Sequence, residues 1–249
     1  MMRLRAFALP LVLLLLSCGK TERPGSPCRT LTFEGAEFVD CIAEPALQNI
    51  TLVLDGPDGE PLRGLAALKA SRGPKDPPVA FAMNAGMFNE AGQPIGLYVE
   101  PGDERQQLNR RKGPGNFHLL PNGVFSIEAD GWHLRTADGY AARTGPQPRY
   151  ATQSGPMLVI GGKLHPKISP NGESRTVRNA VGLDAQGRAH FVISSAPVSF
   201  GVIARLYRDK LGCADALFLD GSVSALWDPA SNRLDETGPL GPLVVVTNR

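Results

Sequence analysis

The chain has 249 residues, 42% hydrophobic and 20% charged, which is enough for a globular protein with a sizeable core. The formal net charge is +2, and Arg3 and Arg5 at the N-terminus account for it. The remaining chain is neutral overall and lacks the basic excess that a nucleic-acid-binding protein requires, so we predict no nucleic-acid partner.

The N-terminus has the features of a secretory signal. Arg3 and Arg5 precede an apolar run over residues 6–16, and Ser17 and Cys18 follow it. This run is too short to span ~30 Å of hydrocarbon as a permanent helix. The sequence Leu-Leu-Ser-Cys at 15–18 resembles the lipobox of bacterial lipoproteins, in which cleavage precedes a cysteine that receives a diacylglycerol.

We therefore predict a signal peptide over residues 1–17, lipidation of Cys18 and a tether over residues 18–27. Gly19, rather than an aspartate, follows the cysteine, which by the usual sorting pattern indicates the outer membrane, facing the periplasm. Membrane contact would then occur through the lipid anchor only. The alternative is a plain signal peptide with an incidental cysteine.

An exported protein meets an oxidising compartment, where a disulfide can form. Cys28 and Cys41 flank two short alternating runs, 31–33 and 37–39, with Glu-Gly-Ala between them. A hairpin would bring the ends of these runs together, so we predict a Cys28–Cys41 disulfide. Cys213 lies between a helical and an apolar segment and is predicted to be a buried free thiol.

The domain is predicted to extend over residues 28–249 as a single α+β unit dominated by sheet. Two segments have helical spacing of apolar residues, 61–72 and 199–211. About ten short apolar runs bounded by turn residues are predicted to be strands: 51–54, 79–83, 95–99, 124–127, 132–135, 157–160, 181–183, 190–193, 216–219 and 243–246.

Familiar catalytic motifs are absent from the sequence. No Gly-x-Ser-x-Gly elbow occurs, which argues against an α/β-hydrolase. The chain has neither His-Glu-x-x-His nor paired Cys-x-x-Cys, which argues against a zinc site. We predict no cofactor and no metal ligands; a divalent cation near Asp220 remains an open alternative that no ligand spacing supports.

Four segments place polar side chains beside glycines at the ends of predicted strands. Glycines there allow a ligand to approach the backbone closely, although Asn84 and Asp220 could instead cap turns. The candidate residues are Asn84 and Gly86; Ser154 and Gly155; Arg175, Arg178 and Asn179; and Asp220, Gly221, Ser222 and Ser224.

Together these segments resemble the motifs of the phosphodiester glycosidase family. Asn-Ala-Gly-Met-Phe at 84–88 resembles its Asn-Gly-Gly-Tyr/Phe-Phe, and Gly-Pro-Met-Leu-Val at 155–159 resembles its Gly-Pro-x-Leu-Val. Arg-Asn-Ala-Val-Gly at 178–182 resembles its Arg-[Thr/Asn]-Ala-x-Gly, and Leu-Asp-Gly-Ser-Val-Ser at 219–224 resembles its Leu-Asp-Gly-Gly-x-Ser. All four occur in the family's order. Ala85 and Ser222 depart from the pattern by replacing glycines.

The resemblance implies hydrolysis of a sugar-1-phosphodiester at the glycosidic carbon. Arginine matches phosphate oxygens in bidentate fashion, so Arg178, with Arg175, is the candidate phosphate ligand. Asp220 is the candidate carboxylate that stabilises an oxocarbenium-like centre or activates water. Glu100 is a candidate second carboxylate, and His118 is a candidate acid.

The remaining motif residues are candidate donors that orient the sugar: Asn84, Gly86, Ser154, Gly155, Asn179, Gly221, Ser222 and Ser224. A second hypothesis also fits the sequence. The side chains of Ala85 and Ser222 occupy space that the family leaves open, so the protein could be a non-catalytic envelope lipoprotein that binds a phosphorylated glycan or cell-wall fragment.

Overall fold

The computed structural model describes residues 25–236 and 238–249. The predicted signal peptide, Cys18 and most of the predicted tether lie outside the described residues. Within them, three sheets with few and short helices make up the fold, so the predicted α+β class is confirmed. None of the described helices has the length and apolar character needed to cross a membrane.

The described part of the chain contains three α-helices and seventeen strands. The helices are α1 (Leu65–Ser71), α2 (Ala137–Ala141) and α3 (Phe200–Arg205), the last continued by one π-helical turn over Leu206–Lys210. The strands are β1 (Cys28–Phe33), β2 (Ala36–Ala43), β3 (Gln48–Val53), β4 (Val79–Asn84), β5 (Tyr98–Glu100), β6 (Asp103–Gln106), β7 (Gly123–Glu128), β8 (Gly131–Thr136), β9 (Tyr150–Ser154), β10 (Met157–Ile160), β11 (Lys163–Leu164), β12 (Asn179–Leu183), β13 (Ala189–Ser194), β14 (Asp215–Phe218), β15 (Leu226–Asp228), β16 (Arg233–Leu234) and β17 (Leu243–Asn248).

The strands form one seven-stranded and two five-stranded sheets. The first has the order β1-β2-β13-β12-β14-β10-β11, the second β16-β15-β4-β17-β3, and the third β6-β5-β9-β7-β8. Every strand pairing is antiparallel, as expected for short strands joined by tight turns. Side chains from all three sheets meet in one central core, which includes Phe81, Phe125 and Phe191.

Helices cover the outer faces of two sheets. α3 and its π-helical turn pack on the face of the seven-stranded sheet that points away from the central core, where Ile203 and Leu206 belong to the same apolar cluster as Phe218. α1 covers the second sheet through Leu65 and Leu68. The centre of the seven-stranded sheet is therefore covered on both faces, and its strands β12 and β13 are buried almost throughout.

The N-terminal hairpin confirms the predicted disulfide. β1 pairs with β2 through a two-residue turn at Glu34 and Gly35, both with positive φ, as hairpin turns of this length require. The register places Cys28 directly opposite Cys41, and the two form a disulfide. Cys213 is a buried free thiol, and burial raises its pKa to about 12, as expected for an unreactive core cysteine.

A buried charged network crosses β2 and β13. His190 Nδ1 lies 3.0 Å from Asp40 Oδ1, and His190 Nε2 lies 3.3 Å from Asp184 Oδ2. Arg29 and Arg188 pair with these two carboxylates from the surface side. Burial alone would lower the pKa of His190, but the hydrogen bonds and charges of both aspartates outweigh burial and raise it.

The raised pKa of His190 predicts a pH-dependent stability. The stabilisation is fully present below the ordinary histidine pKa and is lost as pH rises through the raised value in the folded protein. We expect urea denaturation to give a lower free energy of unfolding at pH 9 than at pH 6. His190→Gln should flatten this dependence, whereas His133→Gln, whose partner Asp130 is exposed, should keep it. Equal slopes for wild type and His190→Gln would contradict the assignment.

Candidate functional site

Asn84 connects three segments at the end of β4. Its Nδ2 donates to the backbone carbonyl of Asp220 at 2.7 Å, and its Oδ1 accepts from the amide of Ala225 at 2.9 Å. The Nδ2 of Asn179, at the start of β12, donates to the same Oδ1 at 2.9 Å and to the Asn84 carbonyl at 3.0 Å. Asn84 is only 1% exposed, so these bonds satisfy a side chain that water cannot reach.

Ser224 completes this group of buried polar side chains, hereafter the amide cluster (Asn84, Asn179 and Ser224). Its hydroxyl lies 3.2 Å from Asn179 Oδ1 and 3.3 Å from the carbonyls of Val177 and Gly221. The cluster therefore joins β4 of the second sheet, β12 of the first sheet and the loop after β14. Three predicted site residues, far apart in sequence, lie together here.

Asp220 follows β14 beside the amide cluster. Its amide donates to the Ala85 carbonyl at 3.1 Å, and one carboxylate oxygen accepts from the amide of Ser222 at 3.2 Å, at the start of a short 3₁₀ turn over Gly221–Val223. The residue is 9% exposed. Burial raises the pKa of this carboxyl above the ordinary aspartate value, against the opposing effect of the Ser222 hydrogen bonds.

Arg178 is a buried cation that stacks on aromatic rings. Its Cζ lies 3.6 Å from the ring centre of Phe200 and 5.4 Å from that of Phe218. Its Nε donates to the Val198 carbonyl at 2.8 Å and its Nη2 to the Ser174 carbonyl at 3.1 Å. No carboxylate pairs with it in the part of the chain that the structure describes, and burial lowers its pKa to about 10.

Arg178 and Asn179 point to opposite faces of the seven-stranded sheet, because they are consecutive residues where β12 begins. Asn179 faces β4, and Arg178 faces α3. The guanidinium and the Asp220 carboxylate form no direct ion pair with each other. The Phe218 ring lies next to the guanidinium, with Arg178 Cζ 5.4 Å from the ring centre. The same ring packs against Gly221, because a Cβ on Gly221 would come within 2.5 Å of Phe218 Cζ.

The second motif packs against the first through Gly86. Its amide donates to Thr152 Oγ1 at 3.2 Å, which ties the loop after β4 to β9. Ser154, at the end of β9, is fully buried, and its hydroxyl has no hydrogen-bond partner among the described residues. Gly155 lies against Asn122, since a Cβ there would come within 2.7 Å of the Asn122 Cβ.

Gly86→Ala tests this close packing. A Cβ on Gly86 would lie 2.4 Å from the Gln153 carbonyl oxygen and 2.5 Å from Thr152 Oγ1, so backbone must move. We expect a loss of about 2–3 kcal/mol in the free energy of unfolding, measured by urea denaturation. Gly64→Ala is the matched control, because nothing lies within 4 Å of a Cβ there. Equal stability of the two variants would refute the packing described.

Three predicted site residues, Glu100, His118 and Arg175, do not bond to the amide cluster. Glu100 accepts from the Tyr98 hydroxyl at 2.7 Å and lies 3.5 Å from Arg105 Nη1. His118 Nδ1 is 2.8 Å from the Arg111 carbonyl. Arg175 is exposed, as is Ser222. Among the described residues, Glu100, His118 and Arg175 form no hydrogen bond or ion pair with Asp220 or with the amide cluster.

A second set of buried amides, beside β9, was not predicted from the sequence. Gln153 is 1% exposed, and its Oε1 accepts from the amides of Leu97 and Asn109, both at 2.9 Å. Asn122 donates to the Asn109 and Phe117 carbonyls, and its Oδ1 is buried without a partner among the described residues. The polarity of Thr-Gln-Ser directly before Gly155 was the available signal.

The residues that could hold a metal ion lie elsewhere. Glu128, Asp130 and His133, at the turn between β7 and β8, place one ligand atom each within 4.8 Å of one another. Arg135 and the Ser126 hydroxyl already bind the Glu128 carboxylate. This hairpin is at the far end of β7 from Gly123, which pairs with Ser154, so the group gives no support to a cation near Asp220.

Comparison with known proteins agrees with the motifs. Residues 78–246 match the family model described as phosphodiester glycosidase. The chain is 37% identical over 149 residues to the uncharacterized protein YigE of Escherichia coli strain K12, a match that covers 60% of this chain and 58% of that protein.

Two solved structures are similar in fold. The catalytic domain of zebrafish N-acetylglucosamine-1-phosphodiester alpha-N-acetylglucosaminidase, auto-inhibited by its pro-peptide, has a TM-score of 0.59 and 14% identity, over 89% of this chain and 81% of that one. A hypothetical protein from Synechocystis has a TM-score of 0.57 and 16% identity, over 89% of this chain and 61% of that one. From the match over residues 78–246, this chain belongs to the phosphodiester glycosidase family.

Proposed function

We propose that this protein hydrolyses a sugar-1-phosphodiester at the glycosidic carbon, releasing the free sugar and a phosphomonoester. The observation that carries the proposal is the Asp220 carboxyl, which the family motifs hold at a strand end in a water-poor setting. The family supports a general hydrolase role. The zebrafish structure of similar fold is named for cleavage of a sugar-1-phosphodiester, and we propose the same class of bond here.

Asp220 would act on the sugar side of the bond. The bond between the anomeric carbon and the phosphate oxygen breaks, and the oxygen of a water molecule bonds to that carbon. In its ionised form the carboxylate can stabilise the oxocarbenium-like transition state or accept the proton that the water loses. A carboxyl of raised pKa is a stronger base than an ordinary aspartate once it is ionised.

Arg178 would act on the phosphate side. A guanidinium that is buried without a carboxylate partner in the described chain has charge available for an anionic ligand. Stacking on Phe200 fixes its plane, and hydrogen bonds from Nε and Nη2 to carbonyls fix its orientation. The departing phosphomonoester is a stable anion, so it needs little proton donation, and no partner acid such as His118 or Glu100 is required.

We also propose that the enzyme works in the cell envelope, anchored through Cys18 and facing the periplasm. The leader and the lipobox-like Leu-Leu-Ser-Cys support this location. The Cys28–Cys41 disulfide is consistent with an oxidising compartment. The substrate would then be a phosphorylated glycan of the envelope.

The test is incubation of the full chain with synthetic sugar-1-phosphodiesters that differ in sugar, followed by mass spectrometry. We expect free sugar and a phosphomonoester in equal amounts. Release of the sugar phosphate with a free alcohol would mean cleavage on the other side of phosphorus and would overturn the assignment.

A second candidate function is binding of a phosphorylated glycan without turnover. It is favoured by Ser222, whose exposed side chain stands beside Asp220 where the family has glycine. A binder would leave every tested glycan intact in the same experiment and would still retain the glycan during gel filtration.

A further inference from the structure

A second groove lies at the opposite end of the strands that form the candidate site. Its volume is about 780 Å³, and it is lined by β3, the end of β17, the β7–β8 hairpin and the start of β9. β9 runs from Tyr150 in the groove to Ser154 in the candidate site, a separation of about 13 Å at the usual rise per residue. β17 likewise runs from Leu243, opposite Asn84, to Thr247 in the groove.

Two aromatic side chains line this groove, one on each side of Ile127. Trp132 of β8 and Tyr150 of β9 both pair with Ile127 of β7, so all three point to the same face of the sheet. Two strand spacings separate the backbone positions of Trp132 and Tyr150 by about 10 Å. Both rings are half-buried and pack against the central core by one side, which leaves the other side to the groove.

The charges that line the groove favour an anionic ligand. Arg149 and Arg249 are exposed, and neither forms an ion pair with a carboxylate side chain of the described residues. Arg149 lies 5.8 Å from the Tyr150 ring centre, and Arg249 Nε donates to Asn49 Oδ1 at 3.2 Å. Glu128 is the one acidic side chain of the described lining, and Arg135 and Ser126 already bind it.

We propose that this groove binds an acidic glycan chain. The flat apolar faces of Trp132 and Tyr150 would stack on two sugar rings, at a spacing comparable with a disaccharide repeat. Arg149 and Arg249 would pair with carboxylates along the chain, and Asn49 would meet sugar hydroxyls. This binding site is separate from the proposed hydrolysis and does not depend on it.

The test uses tryptophan fluorescence of the full chain. Of its two tryptophans, Trp132 lines the groove and Trp227 is buried under α1. We expect a hexasaccharide of alternating glucuronic acid and N-acetylglucosamine to shift the emission saturably. Neutral chitohexaose should bind at least tenfold more weakly. Equal affinity for the two, or no response to either, would overturn the proposal.

Variants locate the binding. Arg149→Gln changes an exposed side chain and should weaken binding of the acidic hexasaccharide about tenfold. Trp132→Phe should remove the fluorescence response, while isothermal calorimetry still detects binding of the hexasaccharide. Arg110→Gln is the matched control, because Arg110 is exposed but pairs with Asp138 outside this groove. Unchanged binding by Arg149→Gln would refute the assignment. Asp220→Asn should bind the hexasaccharide as wild type does, which separates this proposal from the hydrolysis.

Discussion

Asp220→Asn should lower kcat for a sugar-1-phosphodiester by about 10³-fold, within the range found when a general acid or base is removed. Asparagine keeps the shape of the side chain and can still accept the hydrogen bond from the Ser222 amide. The fold should therefore persist, while the negative charge near the anomeric carbon is lost. The measurement is the release of free sugar over time, with circular dichroism on the same sample.

Asp215→Asn is the matched control, since Asp215 begins the strand that Asp220 follows and only bonds the turn at Gly161. The pH profile adds a second readout. Because burial raises the pKa of Asp220, kcat/KM should fall on the acidic side at a higher pH than an ordinary aspartate would give. Wild-type turnover by Asp220→Asn would remove Asp220 from the mechanism.

Arg178→Met should lower kcat/KM by about 10²-fold with little change in stability. The activity falls because the phosphate loses its cationic ligand. Stability is nearly conserved because two effects oppose each other. Burial lowers the pKa of Arg178 well below the ordinary arginine value, to about 10, which corresponds to about 3 kcal/mol against the buried charge. The two hydrogen bonds from the charged guanidinium to carbonyls, which methionine loses, contribute at least about 3 kcal/mol.

Turnover assays and urea denaturation of the same preparations check this prediction. Arg178→Lys should not restore activity, because an ammonium neither stacks on Phe200 nor reaches two phosphate oxygens in one plane. Arg208→Met, which removes a partly exposed arginine paired with Asp209, is the control and should behave as wild type. A loss of more than 3 kcal/mol in Arg178→Met would show that the arginine is structural.

Much of the fold could be predicted because hydrophobic periodicity and turn residues act locally. β10 was predicted with its observed bounds. The predicted helix 199–211 is confirmed: Ser199 caps α3 by accepting from the Val202 amide, and Gly212, with positive φ, follows its last turn. The π-helical turn over Leu206–Lys210 was not predicted, because a single turn with i→i+5 hydrogen bonds leaves no distinct apolar pattern in the sequence.

The strands that were missed are short or polar. β11 and β16 have two residues each, too few for any period. β9 was missed because its buried residues include Thr152, Gln153 and Ser154, so the strand has no alternation of apolar and polar residues. The side chains of Thr152 and Gln153 are buried because they bond within the protein core. The predicted helix 61–72 begins later, at Leu65, because Pro61 pairs with Asp55 in a short bridge.

The candidate site was predicted only in part, because some of its residues stand in sequence motifs and others depend on the course of a loop. Asn84, Asn179, Asp220 and Ser224 stand in recognisable motifs, and the structure brings them together. The arrangement of Arg178 and Asn179 on opposite faces could have been predicted from strand alternation. The roles of Gln153 and Asn122 could not, because each depends on a loop whose course only the folded chain defines.

Asn84 bonds the Asp220 carbonyl, Asn179 bonds Asn84, and Ser224 bonds Asn179. None of these carboxamides and hydroxyls gains or loses a proton across the working range of an enzyme. Lowering the pH therefore protonates Asp220 without changing the charge of the amide cluster beside it. On the acidic side, the pH profile of kcat/KM should therefore fit a single ionisation, with no second ionisation from the amide cluster.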